Sequence, residues 1–457
     1  MGAWRVLAVV LALKAGVLLL DSTVRLYLGD SAAYLAGAQD HRWLPTDRSF
    51  TYSLLLEGLV LPTGRLHVLL LWHALAGAGI AVMLWHLLVR YLGVPRRVAV
   101  GAACILALEP AQLYLERMVM AETFGLLAFA GGVAASCAYL ASRRAAWLPV
   151  VALLGVSAVS LRMSYLPVVL VISAALPLLV LAAPGARAIG HVAVHLLLAL
   201  SSVAVCHEGY RQAVGAWFDV APTYLPRAGF MQMGLVAPLI TSEHLARVGL
   251  PPDIERDLRY PLADRRARMA HMWAPGGLTQ TLRRHGVAVE EVARPLSRMA
   301  LAERPFALVP MGLDTVGDYF RPASIRHALD NDLGRREIPA EVLYELRERW
   351  GYHAEGLPTR VTPVSLWYQH THWWLVACLL VLVPLGWLHL VLEWRTSCGP
   401  YVLLLALVGT GLVASHILFV NVSLFRYLQP LPFFVVAHTV ALVTRRREPR
   451  SGRPPLT

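Results

Sequence analysis

The chain has 457 residues, of which 57% are hydrophobic and only 15% are charged. An ordinary soluble domain carries about 25% charged residues, so the composition argues against a soluble enzyme and predicts an integral membrane protein. The formal charge of +12 is uneven, because residues 208–370 hold 20 arginines and 19 acidic residues and are nearly neutral. The excess elsewhere collects in short loops, which indicates a topology signal rather than a nucleic-acid-binding surface.

Ten apolar segments have lengths that predict helices crossing a bilayer. They cover residues 4–20, 66–89, 98–113, 119–142, 148–161, 163–182, 189–206, 373–392, 401–420 and 431–443. Every loop assigned to the inner side carries at least one arginine, such as Arg187 between the sixth and seventh segments. Since arginine-bearing short loops stay in the cytoplasm, we predict an all-α polytopic membrane protein of about ten transmembrane helices, with both termini cytoplasmic.

The segments divide the chain into four regions. Residues 1–206 predict a transmembrane catalytic module, and its first outer loop, residues 21–62, predicts two short helices lying in the membrane interface. Residues 207–370 contain no apolar run of spanning length and predict a large extracytoplasmic loop domain, since an insertion of this length is expected to fold. Residues 371–444 predict the C-terminal transmembrane helices, and residues 445–457 a cytoplasmic tail.

The unusual polar residues of the apolar part fall at outer ends of segments or in outer loops. They are Asp30, Arg48, Glu109, Glu116, Arg117, Glu122, Arg162 and Arg426. A reaction at an outer membrane surface has no access to cytoplasmic nucleotide-sugars, so its activated donor must arrive on a lipid phosphate. Such a site needs arginines to neutralise the phosphate leaving group and a carboxylate to accept a proton from the attacking hydroxyl.

The residues offer candidates for both roles. Asp30 is the predicted base, and Tyr34, four residues on, shares its helix face; Arg48, Arg117, Arg162 and Arg426 are the predicted phosphate ligands. The five cysteines and the histidines show no metal-ligand spacing, so we predict no metal site and no cofactor. A divalent cation stays an open alternative that no residue pattern supports. The motifs of serine hydrolases, zinc proteases and nucleotide-binding proteins are absent from the sequence.

The order of these features resembles the GT-C superfamily of glycosyltransferases that use polyprenyl-phosphate sugars, above all bacterial relatives of the protein mannosyltransferases and the aminoarabinose transferase of lipid A. The resemblance covers about two-thirds of the chain. It rests on Gly29-Asp30-Ser31-Ala32-Ala33-Tyr34, Asp47-Arg48-Ser49-Phe50-Thr51-Tyr52, Met120-Ala121-Glu122, Leu161-Arg162 and Phe425-Arg426-Tyr427-Leu428-Gln429-Pro430. Where the family carries a second acid in the first loop, this chain has Ser31, and Glu116 or Glu122 is the available substitute.

The resemblance implies an inverting hexosyl- or pentosyltransferase in the bacterial inner (plasma) membrane. Asp30 would be the catalytic base, and the substrate-binding residues would be Tyr34, Arg48, Tyr52, Glu116, Arg117, Glu122, Arg162, Arg426 and Tyr427. The donor would be a polyprenyl-phosphate sugar and the acceptor a lipid, glycan or protein of the cell envelope. Two other readings stay open: a transporter or flippase for lipid-linked glycans, and a polymerase, ligase or acyltransferase acting on surface glycans.

Overall fold

The computed structural model describes residues 2–182 and 189–445. Over these ranges the chain is helical and has no β-strand; one isolated bridge pairs Arg25 with Met118. The predicted all-α class is therefore confirmed. The predicted inner-loop marker Arg187 and all but the first residue of the predicted tail, 445–457, lie outside the described residues.

The first part of the chain forms ten helices. They are α1 (Ala3–Leu20), α2 (Ser31–Gln39), α3 (Phe50–Leu59), α4 (Val68–Arg90), α5 (Arg96–Ala107), α6 (Pro110–Leu115), α7 (Glu122–Ser142), α8 (Trp147–Leu161), α9 (Leu166–Ala175) and α10 (Ile189–Phe218). The two short helices α2 and α3 lie within residues 21–62, the predicted first outer loop, where the sequence predicts two short helices. Each is too short to cross a bilayer.

The rest of the described chain forms thirteen further helices. They are α11 (Gly229–Val236), α12 (Ser242–Arg247), α13 (Asp253–Arg256), α14 (Arg268–Trp273), α15 (Leu278–Arg284), α16 (Val289–Glu303), α17 (Leu308–Asp318), α18 (Pro322–Asp332), α19 (Ala340–Trp350), α20 (Pro363–Thr371), α21 (Trp373–Glu393), α22 (Gly399–Phe419) and α23 (Leu431–Thr444). Those between α10 and α21 are short, because proline, glycine and charged residues interrupt the apolar periodicity.

Seven helical segments in the described part of the chain are long and apolar enough to cross a membrane. They are Ala3–Leu20, Val68–Arg90, Glu122–Ser142, Met163–Leu181, Gly190–Phe218, Trp373–Glu393 and Gly399–Phe419. The other three predicted spans correspond to α5, α8 and α23, which have 12, 15 and 14 residues. At 1.5 Å per residue even α8 is only about 22 Å long, which is shorter than the apolar core of a bilayer.

The third predicted span, over 98–113, is interrupted in the structure. Helix α5 ends at Ala107 and α6 begins at Pro110, which has no N–H to continue the helical hydrogen bonding. The Glu109 carboxylate instead caps α6 by accepting a 2.6 Å hydrogen bond from the Gln112 backbone. Hydropathy alone did not predict this break, because apolar residues lie on both sides of it and the segment was read as one helix.

Helix α10 extends past the predicted boundary between residues 206 and 207. Its apolar first half continues without interruption into the more polar Glu208–Phe218 stretch, giving a helix of 30 residues. The region beyond it has an apolar core of its own, built from residues of α11 to α17 such as Phe230, Met272 and Leu296. The candidate membrane-spanning helices and residues 319–368 share a second, larger core.

The segment between α1 and α2 is held by two other parts of the chain. Arg25 exchanges backbone hydrogen bonds with Arg117 and Val119, at 2.7 and 3.0 Å. From the other side, the Arg25 guanidinium donates to the Leu357 and Arg360 carbonyls, at 3.2 and 2.5 Å. The first outer loop is thus fixed between the α6–α7 connection and the end of the 207–370 region.

Candidate functional site

Asp30 lies directly before α2, where an aspartate commonly caps a helix. The chain turns at this point, with the Asp30 backbone N–H donating to the Tyr27 carbonyl at 2.9 Å. The Asp30 carboxylate accepts no capping hydrogen bond from α2. The loop is instead secured by the Ser31 hydroxyl, which donates to the Val119 carbonyl at 2.9 Å. The carboxylate of Asp30 therefore points toward other partners.

Those partners are two arginines from distant parts of the chain. Arg48 Nη1 lies 2.5 Å from Asp30 Oδ1, and Arg426 Nη1 lies 3.0 Å from Asp30 Oδ2. Arg48 is also held by Asp47, at 2.8 Å. The Asp30 side chain is 22% exposed, whereas that of Arg426 is 6% exposed. This carboxylate is therefore accessible from outside, while one of its arginines is deeply buried.

Arg426 lies at the centre of a cluster of charged side chains that also includes Asp30, Arg48 and Glu122. Its Nη1 lies 3.7 Å from Glu122 Oε1, so two carboxylates face one guanidinium group. The Tyr27 ring stacks on that group, with 3.8 Å between the ring centroid and the guanidinium carbon, and the Tyr427 ring lies 5.2 Å away. Its Nε–H is buried and has no acceptor among the described residues. The surrounding carboxylates and rings favour the charged form of the Arg426 guanidinium group, and its Nε–H is a hydrogen-bond donor that the described residues do not use.

Arg162 lies next to this cluster and is joined to it through the backbone. It follows the last residue of α8 in an extended conformation, and its Nη2 donates to the Arg426 carbonyl at 3.2 Å. Its guanidinium group sits between the rings of Tyr165 and Tyr427, each 5.7 Å away. Arg162 therefore supports the turn that carries Arg426, and within the described residues it forms no hydrogen bond or ion pair with Asp30.

Two predicted tyrosines form the inner wall of the first outer loop. Tyr34 on α2 and Tyr52 on α3 are buried and meet edge to face, with 4.9 Å between ring centroids. Burial, and then the nearby carboxylates of Asp30 and Glu122, raises the pKa of the Tyr34 phenol well above its usual value. Tyr34 therefore stays neutral at physiological pH. The Tyr52 hydroxyl lies 3.3 Å from His73 Nε2, which fixes α3 against α4.

The structure gives the predicted site residues Glu116 and Arg117 other partners. Glu116 Oε1 pairs with Lys14 Nζ at 2.5 Å, with both side chains almost completely buried. Arg117 donates to the carbonyls of Leu113 and Asp21, at 2.7 and 2.9 Å, and its Nε lies 3.5 Å from Asp21 Oδ2. A buried arginine needs several acceptors, and the backbone carbonyls of Leu113 on α6 and of Asp21, directly after α1, supply them. In the structure both side chains are thus occupied by partners within the protein.

A chain of hydrogen-bonded, buried side chains connects Glu116 to Arg162. Gln112 Nε2 donates to Glu116 Oε1 at 3.0 Å, and Gln429 Nε2 donates to Gln112 Oε1 at 2.8 Å. Gln429 Oε1 in turn accepts from Arg162 Nη1 at 3.3 Å. The Lys14–Glu116 pair is thus linked by hydrogen bonds through two glutamines to the arginine beside the cluster.

Asp332 is a member of the cluster that the sequence analysis missed. It ends α18 in the 207–370 region, and its Oδ2 accepts from the Arg426 backbone N–H at 3.3 Å and from the Tyr368 hydroxyl at 3.1 Å. Burial raises the pKa of Asp332 to about 6, against a lowering effect of Arg426. Asp332 stands among several acids in a polar stretch, so its sequence context gives no signal. Gln429 was visible in the motif that contains Arg426, but only as its neighbour.

An open cavity lies in the 207–370 region near the Asp30 loop. It has a volume of about 280 Å³ and is lined by His327, Asp330, Asn331, Arg335 and Arg336. A smaller cleft shares two of these residues, Asn331 and Arg336, and reaches the backbone of residues 27–29. The two depressions therefore lie side by side, and the smaller one borders the loop that carries Asp30.

The described residues contain no group of three or more His, Cys, Asp or Glu side chains arranged to hold a metal ion. The carboxylates of Asp30 and Glu122 both face the Arg426 guanidinium group. The site therefore offers the partly exposed carboxylate of Asp30, which lies between Arg48 and Arg426 and close to several tyrosine side chains. No family model, no curated protein and no solved structure matches this chain.

Proposed function

We propose that the chain is an inverting glycosyltransferase that moves a sugar from a polyprenyl-phosphate donor to an acceptor at the outer face of a bacterial inner membrane. The observation that carries this proposal is the placement of Asp30 between Arg48 and Arg426. A base for the acceptor hydroxyl and cations for a phosphate are the two elements that this reaction requires. The GT-C resemblance of the motifs that carry these residues supports the same conclusion.

In the proposed reaction the acceptor oxygen attacks the anomeric carbon as the bond between that carbon and the phosphate oxygen breaks. Asp30 accepts the hydroxyl proton, and polyprenyl phosphate departs with the electron pair of the broken bond. Arg48 and Arg426 neutralise the leaving phosphate. Attack from the face opposite the leaving group inverts the anomeric configuration.

Donor binding and base activation are coupled in this proposal. In the structure, each oxygen of Asp30 accepts a hydrogen bond from one arginine. A phosphate that takes one or both guanidinium groups frees the carboxylate for the acceptor proton. The unused Nε–H of Arg426 offers a further donor to a phosphate oxygen without breaking any existing bond. Arg162 positions Arg426, while Glu122, Tyr34, Tyr52 and Tyr427 shape the site.

The proposal includes a topology of ten membrane crossings. It counts α5–α6, α8 and α23 as crossings in addition to the seven longer helices, and it places both termini in the cytoplasm. Support comes from the arginine bias of the short loops. Reporter fusions at Ala145 and Ala267 should then give opposite sides of the membrane. The same side for both positions would overturn the topology.

Transfer itself is tested with the purified full chain in lipid nanodiscs. Polyprenyl phosphates carrying different radiolabelled hexoses and pentoses are supplied one at a time with a membrane extract as acceptor, and movement of label out of the donor is followed. We expect one donor class to be consumed, with free polyprenyl phosphate released in equal amount. No consumption of any donor, together with movement of intact donor across the bilayer of proteoliposomes, would favour a flippase instead.

The acceptor is identified in cells. Mass analysis of lipid-linked oligosaccharides, surface glycans and envelope proteins is compared between the parent strain and a deletion strain. A loss of one sugar mass from one of these three classes would assign the acceptor as lipid, glycan or protein. Unchanged masses in all three would contradict the proposed reaction.

A further inference from the structure

Helix α17 exposes a continuous apolar face. Phe306, Val309, Leu313 and Phe320 follow one another along one side of this helix and its two flanking turns, and they are 83, 40, 54 and 55% exposed. At 3.6 residues per turn, Val309, Leu313 and the later Val316 lie within about 60° of each other on the helix. A contiguous apolar patch of this kind normally marks a contact surface.

An adjacent side of α17 packs against the outer end of a candidate membrane span. Gly312 meets α22 so closely that a Cβ at this position would lie 1.7 Å from the Ile417 carbonyl oxygen. The Tyr319 hydroxyl donates to the Leu424 carbonyl at 2.9 Å, just beyond the end of α22. These contacts place α17 at the same depth as the last turns of α22.

That depth identifies what the exposed face would meet. Phe419, the last residue of α22, is itself 49% exposed. If α22 crosses the bilayer, the apolar face of α17 lies beside the point where the span leaves the lipid. Aromatic and aliphatic residues at such a level insert among acyl chains near the headgroups.

The polar residues of α17 are arranged to fit this orientation. Asp314 and Asp318 occupy a third side of the helix, where Asp318 pairs with Arg321 at 2.5 Å and Asp314 lies 3.5 Å from Arg265. Arg304, before the helix, and Arg321, after it, are exposed at the two ends of the apolar face. Arginines in these positions match the phosphates of lipid headgroups.

We infer that α17 is an interfacial membrane anchor, whose Phe306, Val309, Leu313 and Phe320 insert into the outer leaflet beside α22. The partner is the lipid surface. The anchor would hold the 207–370 region at a fixed height over the turn that carries Arg426, because α17 contacts that segment through Leu424. This inference requires a bilayer around α22 but does not depend on the proposed transferase activity.

The test measures the depth of individual side chains in nanodiscs that each hold one copy of the full chain. Cys104, Cys206 and Cys398, which are partly exposed, are replaced by serine, and the buried Cys137 and Cys378 are kept. Nitroxide labels are then attached to Val309→Cys and Leu313→Cys. Both positions are exposed, so the labels leave the packing intact.

Collisions of each label with oxygen, which concentrates in lipid, are compared with those of a water-soluble nickel complex. We expect oxygen to dominate at positions 309 and 313, and the nickel complex to dominate at the control Asp314→Cys on the polar side. Dominance of the nickel complex at 309 and 313 would place the face in water and overturn the inference. Low access of both reagents would show that protein covers the face, and would overturn it equally.

Discussion

Replacing Asp30 by asparagine separates the two roles that its position allows: a base that takes the acceptor proton, and an ion-pair partner of Arg48 and Arg426. The substitution keeps the size of the side chain but removes its charge and turns one oxygen into an amide NH₂. In the structure, one oxygen accepts from Arg48 and the other from Arg426. The amide oxygen can keep one of these bonds, while the NH₂ group faces the other arginine, donor against donor.

The cost to stability follows from those two bonds. A hydrogen bond involving a charged group contributes about 1.5–3 kcal/mol, and the three side chains are 22, 16 and 6% exposed, so solvent screening is modest. Losing one bond and weakening the other should cost about 2–4 kcal/mol. We expect thermal unfolding in detergent to shift down by a few degrees, with the chain still folded and inserted.

The cost to activity should be larger. Loss of a general base lowers the rate by about a hundred-fold or more, so Asp30→Asn should nearly abolish donor consumption in nanodiscs. Binding of polyprenyl phosphate should persist or strengthen, because both arginines are released from the carboxylate. The matched control is Asp47→Asn, which removes the other carboxylate that pairs with Arg48.

Two results would refute this reasoning. A rate for Asp30→Asn near that of the parent would remove Asp30 from the chemical step. An equally large loss in Asp47→Asn would show that the carboxylates act by holding Arg48 rather than by accepting a proton. In the second case the pH profiles of the two variants should also match, whereas loss of a base changes the profile of Asp30→Asn alone.

Three further substitutions test other parts of the arrangement. Arg426→Lys should weaken binding of polyprenyl phosphate about tenfold, because an ammonium group cannot reproduce the fork of donors of a guanidinium group. The control Arg445→Lys, at an ion pair with Glu393, should leave that binding unchanged. Equal losses of affinity in direct binding assays would reject Arg426 as a phosphate ligand. Lys14→Met should destabilise the chain by about 3–5 kcal/mol, because it leaves Glu116 buried and unpaired. Adding Glu116→Gln should recover most of the melting temperature, and no recovery would contradict the pairing. For Asp332, whose pKa rises from 3.8 to about 6 on folding, the fold binds the extra proton and loses stability as the pH rises through 6. Asp332→Asn should therefore increase the free energy of unfolding at pH 7.5 by up to about 3 kcal/mol, and raise the melting temperature accordingly. The gain should be smaller at pH 5, and a gain that is constant with pH would argue against the shift.

The sequence predicted the class of fold well because long apolar segments leave few alternatives to helices. It predicted lengths less well. Hydropathy averages over residues 98–113 and does not register Pro110, whose missing N–H divides the segment into two helices. It also cannot locate the end of α10, since a helix can leave the apolar layer and continue in a polar environment.

The candidate site was partly predictable, because polar motifs stand out in the sequence when they lie at the ends of apolar segments. Arg426 and Glu122 belong to short motifs at outer ends of apolar segments, and the structure brings both to the Asp30 loop. Arg117 and Glu116 share that location in the sequence, but their side chains point into the protein. The signal for this was Lys14: a lysine inside an apolar segment requires a buried partner, and Glu116 meets that requirement.

The pairing of Asp30 with Arg426 has a consequence for biosynthesis. The two residues are 396 positions apart, so a ribosome adding about 5–20 residues per second needs roughly 20–80 s between them. During that interval Asp30 has Arg48 beside it, while the buried cation that completes the cluster has not yet been made. A nascent or truncated chain that ends before the last hairpin therefore carries an unfinished cluster, and the charge balance of the first outer loop is completed only when synthesis is nearly over.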